Sequence, residues 1–325
     1  MGGVILGTGS ALPRRVVTNK ELEKIVDTSD EWIRARTGIK QRHISSEGEY
    51  TYVLASRAAE KALEMAGMAA AEIDLLVVAT ISSHMLMPSS ACFVQREIGA
   101  NKAFAYDINA ACSGFLYGLD MADHYIRADS SKKILVIGAE TLSGRLNWDD
   151  RNTCILFGDG AGAAVVGASD NTGRGMVGSN HFSDGSLWNL LYMHTAESCN
   201  SEIKVEDWCG AHIVMEGKEV FKHAVKAMED AVRGLLAKTG TDLADVTMVV
   251  PHQANVRILN NLMERLELSK EKVFINAPLY GNTSAASIPI ALDEANRNGR
   301  IKEGDLVLFC AFGGGFTWGA SLIKW

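Results

Sequence analysis

Proline is nearly missing from this sequence, with five residues in 325 against 31 glycines. That balance excludes a proline-rich linker and points to close backbone approaches inside packed structure. Basic residues are a minority: 32 Lys and Arg against 39 Asp and Glu leave a net charge of −7. The mean field therefore does not attract nucleic acid or an acidic partner, and any acidic partner requires a local basic patch. No apolar run approaches the ~18 residues of a spanning helix. The opening MGGVILGTGSALPRR also lacks the basic start and long apolar stretch of a secretory leader. These absences predict a cytoplasmic protein that binds neither nucleic acid nor membrane. Cysteines are present at Cys92, Cys112, Cys154, Cys199, Cys209 and Cys310, scattered through predicted strands and helices, so reduced thiols are expected instead of a disulfide framework. Cys199, Cys209 and His212 lack a second close pair, and no metal site is expected.

What remains is an α/β pattern. Apolar, β-rich runs alternate with helical periods: IDLLVVAT from Ile73, AFAYDIN before Cys112, KKILVIGAE from Lys132 and TCILFGDGAGAAVVG from Thr153. The second half repeats it with VTMVVPHQAN from Val246, VFIN from Val273, DLVLFCAFGGG from Asp305 and FTWGASLIKW at the end. A shift of 173 positions lays Leu119 and Asp120 on Leu292 and Asp293, Leu135 on Leu308, and Ala79 on His252. Three elements in one register argue for an internal duplication, with a chance match between two α/β segments as the alternative. The expected division is 1–172 carrying Cys112 and 173–325 carrying His252 and Asn282, with the boundary in Ala168–Gly175.

Within DINAACSGF, Cys112 follows a strand and opens a helical period marked by Phe115, Leu116, Leu119 and Ala122. A thiol at such a helix start feels the positive end of the helix dipole, which favours thiolate, and the small neighbours Ala110, Ala111, Ser113 and Gly114 leave room for a substrate. Taken alone, a cysteine among small residues equally describes a packed core thiol. His252 in PHQAN lies just past an apolar strand, and Asn282 in YGNTSAAS stands before the helix that corresponds to the one opened by Cys112. Strand ends are where ligands collect in α/β folds. If the halves are related, thiol, imidazole and amide converge on one site. Singly, His252 reads as a satisfied core histidine and Asn282 as a turn residue.

TSDEWIRARTGI, ACSGF, FGDGAGA, PHQAN, GNTSAAS and AFGGGFTWGA occur in the order found in the β-ketoacyl-acyl carrier protein synthases III, thiolase-like condensing enzymes, and the chain resembles that family over essentially its whole length. The resemblance implies two similar α/β halves packed into a layered α-β-α-β-α core. It implies that Cys112 accepts an acyl group from acyl-CoA, with acetyl-CoA the expected donor, and that His252 and Asn282 stabilise the enolate left by decarboxylation of malonyl-acyl carrier protein. The Cys112 and Gly314 amides are the expected oxyanion donors, although AFGGG also suits a hairpin turn. Trp32, Arg36, Thr37, Arg151 and Asn255 are implied contacts of coenzyme A, where an aromatic face and guanidinium groups suit a purine and its phosphates. Met87, Leu142 and Phe157 are implied in the acyl pocket, Met87 by reaching across a homodimer interface.

Lys218, Lys222 and Lys226 recur at helical spacing, which describes either a solvated face or the basic patch that an acidic carrier requires. The resemblance assigns carrier-protein contacts to Lys222, Gln253, Ala254, Asn255, Val256 and Arg257, whereas Glu264 departs from the basic residue of some relatives. It implies no cofactor and no metal, the CoA thioester being a substrate. Two alternatives stay open, a ketosynthase priming a secondary metabolite and a non-catalytic acyl-CoA-binding homologue. The intact Cys112, His252 and Asn282 set argues against the latter. Neither Met87 nor the stretch Gly185–Cys209 names a preferred acyl length.

Overall fold

The strands form where apolar runs can be covered on both sides. In the computed structural model, which describes residues 2–169, 173–199, 202 and 210–325, the first half contributes β1 (Val4–Ala11), β2 (Leu75–Ala79), β3 (Phe104–Ile108), β4 (Ile134–Glu140) and β5 (Gly160–Gly167). They make one sheet in the order β1-β5-β4-β2-β3. The second half contributes β6 (Gly175–Ser183), β7 (Met248–Pro251), β8 (Leu306–Gly313) and β9 (Thr317–Lys324). These make a second sheet in the order β7-β8-β9-β6. Every residue of β2 and β4 is buried, which explains why they read as unbroken apolar runs without alternation.

The principal helices are α1 (Asp30–Thr37), α2 (Thr51–Ala66), α3 (Gly114–Ala128), α4 (Gly217–Thr239), α5 (Val256–Arg265) and α6 (Ser287–Arg297). Leu75, Val77 and Val136 of one sheet and Val250, Val307 and Phe309 of the other enclose a central layer made by Phe115 and Leu119 of α3 with Ile288 and Leu292 of α6. The opposite face of the first sheet, Leu76 and Val78 with Leu135 and Ile137, is covered by Leu54 and Ala58 of α2. Val249, Leu308 and Leu322 are covered by α4 and α5. The result is the expected α-β-α-β-α stack, and each fully buried Leu or Phe in it stabilises the fold by about 1.5–3 kcal/mol. Gly162 lets α6 lie on β5, since a Cβ there would sit 2.6 Å from the Ile290 nitrogen.

The 173-residue shift also appears in space. Leu76 pairs with Leu135 in parallel, and Val249 pairs with Leu308 in parallel. A 3₁₀ turn over Ala111–Ser113 leads into α3 at Gly114, and one over Ser284–Ala286 leads into α6 at Ser287. Ala111 and Ser284, 173 apart, both hold positive φ, 45° and 47°. Residues 170–172, beside the boundary placed between the halves, lie outside the described residues, as does Cys209.

Two expected strands differ. VFIN contributes only a single bridge, Val273 to Val249. The run from Thr153 becomes a strand only at Gly160, because the preceding stretch pairs with the Asn282 loop: Asn282 N donates to Leu156 O at 2.8 Å and Gly158 N to Asn282 O at 3.0 Å. The five described cysteines are free thiols. Among the described residues no helix is long and apolar enough to cross a membrane.

Candidate active site

Each half delivers one face of a single cavity of about 1520 Å³, and Cys112, His252 and Asn282 all line it. Cys112 sits in the 3₁₀ turn directly after the left-handed Ala111, a conformation that costs a non-glycine residue on the order of 1–3 kcal/mol and persists only where the surroundings enforce it. The surroundings here come from the second half. Thr317 Oγ1 donates to Ala110 O at 2.8 Å, and Ser113 Oγ donates to Thr317 O at 3.0 Å. Gly313 presses on the same turn, since a Cβ there would lie 2.6 Å from Cys112 N.

His252 leaves the end of β7 with its N–H bonded to Cys310 O at 2.8 Å, and its Nδ1 lies 2.6 Å from Ser287 Oγ. Asn282 is oriented by its own turn. Its Oδ1 accepts from Ser284 N at 2.9 Å, which leaves the Nδ2 donor for the cavity. The imidazole and the amide therefore meet the cavity with their backbone-facing atoms already occupied.

Burial settles the protonation states. It pushes the Cys112 thiol up to about 12, aided by the charge of Glu140 and opposed less strongly by Ser284 and its own backbone N–H. The thiolate expected from the helix dipole is therefore not the resting state, because desolvation outweighs the dipole. Burial likewise pushes His252 down to about 3, so the imidazole is neutral.

Glu140, at the end of β4, escaped the sequence reading. Its carboxylate is fully buried and accepts from Ser82 Oγ at 2.5 Å, Thr80 Oγ1 at 3.2 Å and Ile81 N at 3.2 Å, yet burial raises its pKa to about 7. The signal was a carboxylate closing the apolar run KKILVIGAE. Asn109 was also missed, although the same 173-residue shift pairs it with Asn282. It lines the cavity, and its Oδ1 accepts from Ala111 N at 3.4 Å, repeating the Asn282 turn.

At the cavity mouth α1 starts on Ser29, whose hydroxyl accepts from Trp32 N at 3.1 Å. It ends on Gly38, at φ 75°, against Val256. The Arg36 and Arg151 guanidinium groups lie 5.6 and 5.0 Å from the Trp32 ring centre. Trp32, Arg36 and Thr37 line the cavity, but the Thr37 hydroxyl is spent on Ile33 O and Ile39 N. Asn255 lines it too, while its side chain caps α5 through Arg257 N and donates to Arg36 O. Gly314, in the β8–β9 turn, lines the cavity as expected of a donor, and Phe157 lines it as expected of the acyl pocket.

Two expectations require correction, those for Leu142 and Gln253. Leu142 is fully buried in the cluster of Leu146, Cys154 and Phe157 and does not reach the cavity. Met87, expected to act across a dimer interface, is 85% exposed and lies outside the cavity of its own chain. Gln253 is 1% exposed and its amide is fully committed, donating to Pro251 O and Phe274 O and accepting from Asn276 N and Ala277 N, so it clamps the fold and presents nothing to a carrier protein. Ala254 and Arg257 line the mouth, with the Arg257 guanidinium 5.7 Å from the Phe221 ring centre. Lys222 stands outside the cavity with 76% of its side chain exposed. Trp188, Tyr192 and His194 line the cavity from the stretch Gly185–Cys209, which named no residue in the sequence; residues 200–201 and 203–209 of it lie outside the described residues.

Comparison with known proteins finds relatives over the whole length of the chain. Family models described as 3-oxoacyl-[acyl-carrier-protein] synthase III and its C-terminal region match residues 106–185 and 236–325. A beta-ketoacyl-[acyl-carrier-protein] synthase III of Desulfotalea psychrophila is 58% identical over 325 residues, covering all of both chains. The crystal structure of the 3-oxoacyl-[acyl-carrier-protein] synthase III of Aquifex aeolicus superposes with a TM-score of 0.93 at 49% identity, again covering all of both chains. A priming beta-ketosynthase from a polyketide biosynthetic pathway superposes at 0.91 with 37% identity, covering 99% of this chain and 95% of the other.

Proposed function

The chain belongs to the 3-oxoacyl-[acyl-carrier-protein] synthase III family, and from that premise we propose that it condenses an acyl group, taken from acyl-CoA, with malonyl-acyl carrier protein, the step that starts a fatty acid. The observation that carries this reading is the convergence of Cys112, His252 and Asn282 in one cavity, the amide and imidazole each pinned from behind. The Cys112 sulfur attacks the thioester carbonyl of acyl-CoA. The resulting oxyanion is received by the Cys112 and Gly314 amides, the C–S bond to CoA breaks, and the thiol proton ends on the CoA sulfur. In the second step the C–C bond of the malonyl group breaks, CO2 leaves, and the electron pair forms an enolate. The Asn282 Nδ2 and a His252 N–H stabilise that charge, which exists only as the bond breaks. The enolate carbon attacks the acyl-Cys112 carbonyl, the Cys112 sulfur departs as thiolate and takes up a proton from solvent to restore the thiol, and 3-oxoacyl carrier protein is released. These steps balance without a cofactor or metal.

Trp32, Arg36 and Arg151 suit the nucleotide of CoA at the mouth, a purine entering as the exposed Arg151 swings off the ring. Lys222 and Arg257 suit an acidic carrier protein. Homodimerisation is supported by the free edge of β3 and the exposed Phe104 on it, and Met87 would then enter the partner's acyl pocket. We divide the chain at 172/173 into a half carrying the nucleophile and a half carrying the enolate donors, and place the enzyme in the cytoplasm. Higher identity to the Desulfotalea relative than to the priming ketosynthase supports the fatty acid role.

Single-turnover measurements test the mechanism. Asn282→Ala is expected to accumulate acyl-Cys112, seen by mass spectrometry, yet to lose labelled CO2 release by ~10²–10³, the usual effect of a lost oxyanion donor. Cys112→Ser is expected to take no covalent label from acyl-CoA. Unchanged CO2 release from Asn282→Ala, or label persisting on another cysteine, refutes the assignments.

A further inference from the structure

Ser287 opens α6 behind the imidazole, with its Oγ 2.6 Å from His252 Nδ1. The same oxygen accepts from the Gln253 backbone N–H at 3.3 Å. A backbone N–H can only donate, so that contact uses one lone pair of the hydroxyl. Among the described residues no other acceptor takes the hydroxyl proton, and the short contact directs it at Nδ1. A neutral imidazole whose Nδ1 accepts must carry its proton on Nε2.

We propose that Ser287 is a positioning residue that holds His252 as the Nε2–H tautomer, making the imidazole a hydrogen-bond donor to the enolate oxygen and not a base toward Cys112. The inference rests on the role given to His252 above and specifies how that role is set. The internal repeat supports it independently: positions 79 and 114 stand where His252 and Ser287 would fall in the first half, and Ala79 and Gly114 occupy them. Imidazole and hydroxyl thus occur together in one half and are absent together from the other. Gln253 completes the relay because its buried side chain, bonded to four backbone groups, fixes the N–H that polarises the serine.

Nitrogen NMR of histidine-labelled protein tests this, with His252 signals identified by their loss in His252→Asn. The native protein is expected to show Nε2 protonated. Ser287→Ala removes only the hydroxyl and is expected to shift the tautomer ratio toward Nδ1–H by roughly 2- to 10-fold, the worth of one hydrogen bond. Its malonyl decarboxylation is expected to fall by no more than the same roughly 2- to 10-fold, because the rate follows the fraction of His252 that carries its proton on Nε2. Acyl loading of Cys112 is expected to change little, and Ser287→Thr, which keeps the hydroxyl, is expected to restore the native tautomer. An unchanged ratio in Ser287→Ala overturns the proposal, and so does equal loss of both half-reactions. The NMR readout does not pass through turnover, so failure of the condensing role would show instead as native protein that neither loads Cys112 nor releases CO2.

Discussion

Glu140 is a charged group the fold would hold more cheaply if neutral, and Glu140→Gln tests that. Its pKa rises from 4.5 to about 7 because burial outweighs the hydrogen bonds it accepts. A carboxylate whose folded pKa is raised binds its proton more tightly in the native state, so the contribution of Glu140 to stability is greatest below pH 4.5 and is lost as pH rises through about 7. At 1.36 kcal/mol per unit the full cost above that range is about 3 kcal/mol. Glutamine imitates the protonated form. Oε2 receives the contacts from Ser82, Thr80 and Ile81, Oε1 receives Ile81 N at 3.4 Å, and the Ser284 hydroxyl that also bonds the carboxylate can accept as well as donate, so an NH₂ in the Oε1 position forfeits little. The substituted protein should therefore match the native one in acid and exceed it by about 3 kcal/mol near pH 8. With roughly 2.1 cal/mol/K of unfolding entropy per residue, that is a rise in Tm of about 5 °C. Thermal unfolding of both proteins between about pH 4.5 and 8 gives the difference directly, and groups common to both cancel. The charge of Glu140 also holds the Cys112 thiol up, so Glu140→Gln should speed alkylation of Cys112 by iodoacetamide at fixed pH. A stability difference that does not grow with pH refutes the argument.

Trp32→Ala is expected to raise KM for acyl-CoA roughly 10-fold, within the range for loss of one base-stacking aromatic, and to leave loading from a short thioester without the nucleotide unchanged. Equal loss with both donors would mean that Trp32 serves the fold alone. Charge reversal at Lys222 and Arg257 is expected to raise KM for malonyl-acyl carrier protein, with added salt imitating the effect and loading from CoA spared. Loss of both half-reactions would point to disturbed structure and not to docking.

The layers were legible because both faces of each sheet are covered, which turns strands such as Leu75–Ala79 into continuous apolar runs. The repeat was legible because matching strands kept their pairing register, Leu76 with Leu135 and Val249 with Leu308. What escaped depended on three-dimensional burial. Leu142 was implied in the acyl pocket by the family resemblance and Gln253 sits in PHQAN, yet packing turns the first away from the cavity and backbone groups consume the second. The charge state of Cys112 was misjudged for a similar reason, since a helix start is visible in sequence whereas the depth at which it is buried is not. Glu140 shows the converse: a terminal strand residue gave no hint that three hydroxyl and amide donors from Thr80–Ser82 would close around it.

The equivalence of the two turns has a consequence for how many reaction centres one chain can hold. A fold made of matching halves offers two cradles, and the second is plugged. Opposite Cys112 in the repeat stands Ala285, opposite His252 stands Ala79, and opposite Ser287 stands Gly114, where a Cβ would lie 2.8 Å from the Ala79 Cβ and 3.7 Å from that of Ala285. The three counterparts thus form one tight knot of the smallest side chains, in which a side chain at position 114 would collide with Ala79. Rebuilding a twin centre would demand simultaneous enlargement at several touching positions, which single substitutions cannot do without overpacking at about 1–3 kcal/mol each. The asymmetry of the enzyme is therefore locked sterically: the silent copy acts as a filler that keeps Ala285 and α6 close against the sheet from which the working cysteine emerges.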